Sequence, residues 1–476
     1  MATSKDIKKG KVVSIKAKTE EVTLTLKRDI FQKDIIVAND FTEKKGTMPI
    51  LSHIRMDNDG QNHCKISATD MEVAWTKIIS CKGPKISKCI PAALLLKEVK
   101  ALPVDIVEVI LTFKDKLVSV NGRCRIFTLP AEDFPKWPDI KGWTEMKIDN
   151  FTGALQRVSA AMGDGDTRYT LNGALLDFKS NMIVATDGHR LHRDDAKVWE
   201  GEAAPMIIPR RAVQLMVKYP LTEAPKLTRV KPFIAHDKMD LPVNYELDVC
   251  GHKVKVSYKP EKHNGQFWGA KVTWASPLSD DDMIYKEPLI KAIREYGTLK
   301  EYIQRLSEKK YFQKNKTVFI NASKTHITYP AAGGEMLVRA IEGTFPNWNQ
   351  VIPKNNPVKI TFKTSDFLQN MEGALPLTHD SNTVTLKVNG SMIIETNSPD
   401  RGNYKWHIPC KTIGKKGEVD IRFNAKYLID ALKSYDSPEA TIEMAESSAP
   451  ALVNKKAVVM PIRPEKECPL TGKQEG

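Results

Sequence analysis

Lys65-Ile66-Ser67-Ala68-Thr69-Asp70 and Met182-Ile183-Val184-Ala185-Thr186-Asp187 decide how this chain is built. Each is a short strand-like run ending in Ala-Thr-Asp, and the second tripeptide lies 117 residues after the first. Further along, Cys89-Ile90-Pro91-Ala92-Ala93-Leu94-Leu95-Leu96 returns as Ile207-Ile208-Pro209-Arg210-Arg211-Ala212-Val213-Gln214-Leu215, with the Ile-Pro pairs 118 residues apart. Both read as helix starts with proline in the first turn, where its missing N–H costs nothing. Phe134-Pro135-Lys136-Trp137 returns as Phe345-Pro346-Asn347-Trp348, but 211 residues later. That excess places about 93 additional residues in the second copy, at about 221–315. A third copy is legible in Met392-Ile393-Ile394-Glu395-Thr396-Asn397 and in the helix-like Phe423 to Leu432. Ordered matches at a common offset are the mark of a repeated domain.

Each unit reads as strand, helix, several strands, helix, strands. Glu21 to Leu26 alternates with period two, Asp29 to Asn39 is helix-like, and Pro49 to Trp75 alternates around an Asn58-Asp59-Gly60 turn. Leu117 to Phe127 reads as a hairpin around Asn121-Gly122. The expected class is α+β. The expected division is an extension at 1–20, domains at 21–143, 144–354 and 355–464, and a tail at 465–476. Within the insertion, Tyr245 to Val249 and Lys253 to Tyr258 are strand-like around Gly251. Pro288 to Tyr296 and Leu299 to Leu306 are helix-like, which suggests a small α+β module with Trp268 and Trp274 in its core.

The 476 residues are 41% hydrophobic and 27% charged, an ordinary globular composition that excludes collagen and low-complexity classes. No apolar run long enough for a membrane span occurs, and the Lys-rich start lacks a secretory signal, so a cytoplasmic protein without membrane contact is expected. The seven cysteines are scattered without a Cys-x-x-Cys, which speaks for reduced thiols and against a zinc site. With 72 Lys and Arg against 58 Asp and Glu, the net charge is +14, a balance suited to a polyanion.

The excess recurs on equivalent helices. Lys27, Arg28 and Lys33 fall on the first helix of the first unit, with Lys97 and Lys100 on its second. Arg157 falls on the helix expected from Phe151 to Met162, and Arg210, Arg211 and Lys218 on the next. Lys426 and Lys433 belong to the third unit. For one helix such a face is usually just solvated. Recurrence favours a common basic surface that meets phosphates without reading bases.

Several motifs lead nowhere. His192-Arg193-Asp194 imitates a kinase catalytic loop, but Trp199 stands where that loop needs asparagine. Asp164-Gly165-Asp166 lacks the ligand ladder of a calcium loop. Asp187 and His189 share a strand face with no nucleophile nearby. No phosphate-binding loop, catalytic constellation, metal site or cofactor site is read from the chain.

Thr47-Met48-Pro49-Ile50-Leu51, Arg168-Tyr169-Thr170-Leu171-Asn172-Gly173, Ala185 to Leu191, Phe345 to Pro353 and Val458-Val459-Met460-Pro461-Ile462-Arg463 resemble the bacterial DNA polymerase III β subunit, the sliding-clamp family. The resemblance covers about 21–464 apart from the insertion. It implies three DNA-clamp domains per chain and a head-to-tail homodimer forming a six-domain ring. Such a ring encircles double-stranded DNA without sequence preference. It tethers a DNA polymerase catalytic subunit, and a clamp loader and other peptide-motif proteins are further partners. The partner-peptide groove carried over from the family comprises Leu171, Thr186, Gly188, His189, Arg190, Leu191, Pro346, Val351, Tyr427, Val458, Met460, Ile462 and Arg463. Lys45, Arg168 and Tyr169 occupy the family's DNA-touching loops, and join Arg28, Lys97, Arg210, Arg211 and Lys426 as DNA-facing candidates.

The sequence departs from the family in its N-terminal extension, its insertion, and a tail that continues beyond Arg463. Two other readings follow from these departures. One is an enzyme seated in the insertion, supported only by Asp280, Asp281 and Asp282. The other is a clamp-like scaffold that does not close into a ring.

Overall fold

The computed structural model describes residues 21–44, 46–220, 230–232, 243–249, 252–263, 266–274, 318–354, 356–379, 381–389, 391–414 and 419–463. The chain forms two compact units, one ending at Trp137 and one beginning at Pro138.

In the first unit, strand Val22–Lys27 leads into helix α1 (Arg28–Asp40). Phe31, Ile35 and Ala38 recur at helical spacing on α1 and are fully buried. Four antiparallel strands follow, Val73–Ser80, His63–Thr69, His53–Asn58 and Ile86–Pro91 in sheet order. Helix α2 (Ala92–Lys100) packs on α1 and leads into Glu108–Lys114, Leu117–Val120 and Cys124–Phe127. These three form a second sheet with Val22–Lys27. Trp75 stacks on Phe41 with ring centroids 6.1 Å apart in this core.

The second unit runs through the same plan twice. Its first pass is Thr144–Ile148, α3 (Phe151–Val158), five strands from Gly173 to Pro209, α4 (Arg210–Lys218), and three strands from Val318 to Arg339. The second pass is Val358–Lys363, α5 (Thr364–Ala374), five strands from Thr383 to Asn424, α6 (Ala425–Ser434), and three strands from Glu439 to Val459. With the first unit these make three domains of one topology, and in each the two helices lie together. Within the second unit the strand Arg190–Asp195 pairs with Ala457–Val459. The register is Arg190 with Val459, Leu191 with Val458 and His192 with Ala457, so a nine-stranded sheet crosses the domain boundary.

The repeated tripeptide folds the same way in both copies. The Thr69 hydroxyl donates to the Val73 carbonyl and accepts from the Met71 N–H, while Asp70 accepts from the N–H groups of Glu72 and Val73. Thr186 bonds likewise to Arg190 and Gly188, and Asp187 to His189 and Arg190. Short oxygen-bearing side chains thus close the turn, which is why these residue types recur. The third residue of the turn is left-handed, with φ of 77° at Met71 and 87° at Gly188.

Three sequence expectations are corrected. Pro91 and Pro209 end strands and stand just before α2 and α4, not within their first turns; both have extended backbone, and each pairs across its sheet. The helix expected from Phe151 to Met162 stops at Val158, continues as a tight 3-10 turn to Ala161, and gives way to extended backbone at Met162. Arg157 does not lie on an open basic face, because its guanidinium bonds the Asp194 carboxylate and the Asn150 side chain.

In the insertion the described backbone is an antiparallel sheet of Val230–Pro232, Val243–Val249, His252–His263 and Gln266–Trp274. Its register and alternation put Val243, Tyr245, Leu247, Val254, Val256, Tyr258 and Trp274 at positions of one face. The expected helices at 288–306, the acids at 280–282, the 1–20 extension and the 465–476 tail lie outside the described residues.

Asp194 is fully buried beneath the domain boundary, where Arg157 and Lys456 both donate to its carboxylate. Burial pushes this carboxyl up, but the hydrogen bonds from Lys456 and Arg157 outweigh it and hold it below the ordinary carboxylate range. Next to it, His192 is completely buried, with Nδ1 3.1 Å from the Arg157 carbonyl and its ring 5.8 Å from that of Tyr435. Burial lowers its pKa to about 4.

Because Met71 is exposed and left-handed, Met71→Gly is expected to stabilise the first unit by about 0.5–1 kcal/mol, the left-handed penalty less glycine's extra chain entropy. Gly188→Ala should do the reverse, since its φ of 87° is a left-handed conformation that costs an L residue; urea unfolding checks both. His192 is neutral in the folded state, so its contribution is complete above the unfolded pKa near 6.5. It is lost as pH falls toward about 4, about 3 kcal/mol in all. Melting at pH 7 and pH 4.5 should show a smaller pH difference for His192→Gln than for the wild type.

Candidate functional site

The Arg190–Asp195 to Ala457–Val459 ladder sets Leu191 beside Val458, and Leu171 joins them. These three are buried together with Leu175, Val184, Ile207, Phe345 and Leu452, and Met182, Ile341, Trp348 and Ile352 pack against the cluster. The 3-10 turn Trp348–Val351 follows Phe345 and leaves Val351 48% exposed. Past the last strand, the Met460 N–H donates to the His189 carbonyl at 2.9 Å, and the Met460 side chain is 40% exposed. The Ile462 N–H then donates to the Arg422 carbonyl at 2.8 Å, which ties the segment to the third domain. A buried apolar floor therefore lies under partly exposed apolar residues at one domain boundary.

A polar shelf borders this floor. Arg190 Nε donates to Asp187 at 3.0 Å and Nη1 to Asp430 at 2.5 Å. Its guanidinium carbon lies 4.4 Å from the centre of the Tyr427 ring, within cation–π range. His189 stacks on the same tyrosine at 6.4 Å. Burial raises the Tyr427 phenol, and the carboxylates of Asp187 and Asp430 add to the rise.

Of the groove residues expected from sequence, Leu171, Leu191 and Val458 share the floor, and His189, Arg190 and Tyr427 form the shelf. Met460 reaches the shelf through His189, while Pro346 and Val351 flank Phe345 and Trp348. Ile462 and Arg463 follow in the segment after the last strand, bonded at Ile462. Thr186 and Gly188 serve the turn itself: the threonine hydroxyl is spent on it, and Gly188 lies close under Arg168. Sequence reasoning left out Phe345, Trp348, Leu452, Asp187 and Asp430 as groove residues. The recurrence of Phe-Pro-x-Trp was a usable signal for the first two; Asp430 carried none.

The cationic candidates divide. Arg28 donates to the carbonyls of Leu102, Pro103 and Ile106, and Arg210 to those of Met162 and Gly163. Both guanidiniums thus hold loops, a use of charge that sequence spacing does not reveal. Lys433 pairs with Glu372 at 2.7 Å. Arg168 grips Asp166 through two nitrogens and holds its carboxyl down at about 2, yet its side chain stays 59% exposed beside an exposed Tyr169. Lys97 and Lys426 are exposed on α2 and α6, Arg211 is half-buried on α4, and Lys45 lies outside the described residues. Among the described residues no cluster of His, Cys, Asp or Glu could hold a metal, and no helix is long and apolar enough to cross a membrane.

Three family models match in chain order: the N-terminal domain of the DNA polymerase III beta subunit at residues 22–138, its central domain at 145–230 and its C-terminal domain at 349–462. The beta sliding clamp of Pseudomonas aeruginosa is 31% identical over 199 residues, 40% of this chain and 54% of that protein, so the chain spans about half the length of the first curated relatives it matches. The beta sliding clamp of Vibrio cholerae is 23% identical over 437 residues, 88% of this chain and 93% of that protein. The crystal structure of the Pseudomonas aeruginosa DNA polymerase III subunit beta superposes with a TM-score of 0.67 at 21% identity, covering 93% of this chain and 100% of that one. With all three of its domains matched in order, the chain belongs to the DNA polymerase III beta subunit family.

Proposed function

We propose that this chain is a DNA sliding clamp, an accessory factor and not a catalyst. Two copies close into a ring of six domains around duplex DNA and hold a polymerase by a peptide seated in the groove. The observation that carries this reading is the sheet that runs on across the domain boundary. There Arg190–Asp195, the third strand after α3 in the second domain, pairs with the last strand of the third domain, Ala457–Val459. The counterparts of these two strands elsewhere in the repeat are Gly402–Ile408 in the third domain and Cys124–Phe127 in the first, and both end their sheets. Trp406 on one is 54% exposed and Phe127 on the other 75% exposed. An unpaired edge with an apolar residue needs a cover. A second copy supplies each edge with the other, head to tail, and two such junctions leave neither open.

Duplex DNA inside such a ring would be held by threading, so the phosphate contacts can stay weak and exchangeable. Exposed lysines such as Lys97 and Lys426, with the Arg168–Tyr169 loop, suit that role. The groove, with Met460 and Val351 exposed over an apolar floor, suits short peptides with leucine and phenylalanine anchors, from a polymerase, a clamp loader or other proteins carrying such a segment. Bacterial cytoplasm at the replication fork is the matching location.

Retention tests the ring. The wild type should remain on nicked circular DNA and run off once that DNA is linearised; equal loss from both forms would refute encirclement. Phe127→Glu should shift the mass seen by light scattering from dimer to monomer and abolish retention on circles. For the groove, Met460→Glu combined with Arg463→Ala should weaken binding of a labelled Leu/Phe-anchored peptide by at least about tenfold, a loss of more than about 1.4 kcal/mol, while the dimer stays intact. Unchanged peptide affinity would move the binding surface elsewhere.

A further inference from the structure

We propose that Asp430, with Asp187, is a positioning residue of the groove: the two carboxylates hold Arg190 as a brace between the second and third domains, and Arg190 in turn holds the Tyr427 ring that walls the groove. This inference rests on the groove reading above.

Three contacts hold the guanidinium of Arg190. Nε bonds Asp187 Oδ2 at 3.0 Å, Nη1 bonds Asp430 Oδ2 at 2.5 Å, and the guanidinium carbon lies 4.4 Å from the Tyr427 ring centre. Its side chain is only 12% exposed. Two carboxylates already neutralise it, so it serves poorly as a cation for an incoming ligand. A planar fork that bridges two carboxylates and stacks on an aromatic ring is a rigid spacer.

Both ends of the spacer are anchored. Asp187 Oδ1 accepts from the N–H groups of His189 and Arg190, which fixes that carboxylate to the turn of the second domain. Asp430 and Tyr427 are three residues apart on α6, on one face of that helix. The connection therefore runs from the Thr186-Asp187 turn through Arg190 to α6, and it sets both the position of the tyrosine and the distance between the two groove walls. The His189 ring stacks on the same tyrosine with centroids 6.4 Å apart.

The test uses the full chain and two labelled peptides with leucine and phenylalanine anchors, one with neutral flanks and one with acidic flanks. Asp430→Asn is expected to weaken both by about five- to tenfold, and Asp430→Glu to restore both to within about threefold of wild type. Arg190→Lys, which keeps the charge but cannot bridge two carboxylates and stack, should lose as much as Asp430→Asn. Dimer mass and melting temperature should stay as in the wild type, since Asp430 is 39% exposed. Unchanged affinity in Asp430→Asn overturns the brace. So does tighter binding of the acidic peptide alone, which would make Asp430 a simple surface charge. A wild type that binds neither peptide overturns the groove reading and the brace together, whereas wild-type binding with an unaffected variant overturns the brace alone.

Discussion

Three residue pairs, Arg190 with Val459, Leu191 with Val458 and His192 with Ala457, carry more of this molecule than their number suggests. Backbone pairing fixes two domains relative to each other with a precision that side-chain contact alone rarely reaches, because a one-residue slip would turn every side chain to the opposite face. In this register Leu191 and Val458 meet on the groove side. His192 turns inward to the Tyr435 ring, and Asp194 comes within reach of Lys456. The groove floor and the buried polar cluster are thus two faces of one ladder.

That polar cluster is a costly way to join domains. A buried carboxylate facing two cations loses hydration that its partners only partly restore. What it adds is directionality: Arg157 comes from α3, Lys456 from the turn of the last hairpin, and each must find Asp194 for the sheet to continue. Tyr435 supports the same place by donating to the Arg193 carbonyl at 2.9 Å, and the Arg193 guanidinium lies over Trp348, which packs on the groove floor. Apolar residues would cover the boundary as well, but they would not select one register so sharply.

The legible part of the fold was the part whose chemistry is local. Ala-Thr-Asp could be seen twice because the turn consumes the threonine hydroxyl and the aspartate oxygens within four residues. The third copy was fainter for the same reason: Thr396 spends its hydroxyl on Thr383, across the strands, and the local signature disappears. Helical stripes such as Phe31-Ile35-Ala38 were equally readable. What escaped was every use of charge over distance. Arg28 and Arg210 looked like phosphate ligands and instead hold carbonyls of neighbouring loops. His192-Arg193-Asp194 imitated a catalytic loop because a junction and an active site draw on the same residues; only the surroundings, a buried ring and two cations, tell them apart. Asp430 lies 240 residues from Arg190 along the chain, a separation at which no spacing rule operates.

The shortness of the ladder at the domain boundary has a mechanical meaning. A seam of so few rungs fixes register firmly but leaves twist as its softest coordinate, so a change in strand twist there would turn one domain against the next. In the ring proposed above, the angles of such joints would have to sum to one full revolution, so each would constrain all the others. A side chain that altered the twist at one joint by a few degrees would be felt as spring tension everywhere on the circumference, and release of that tension would open the weakest joint first.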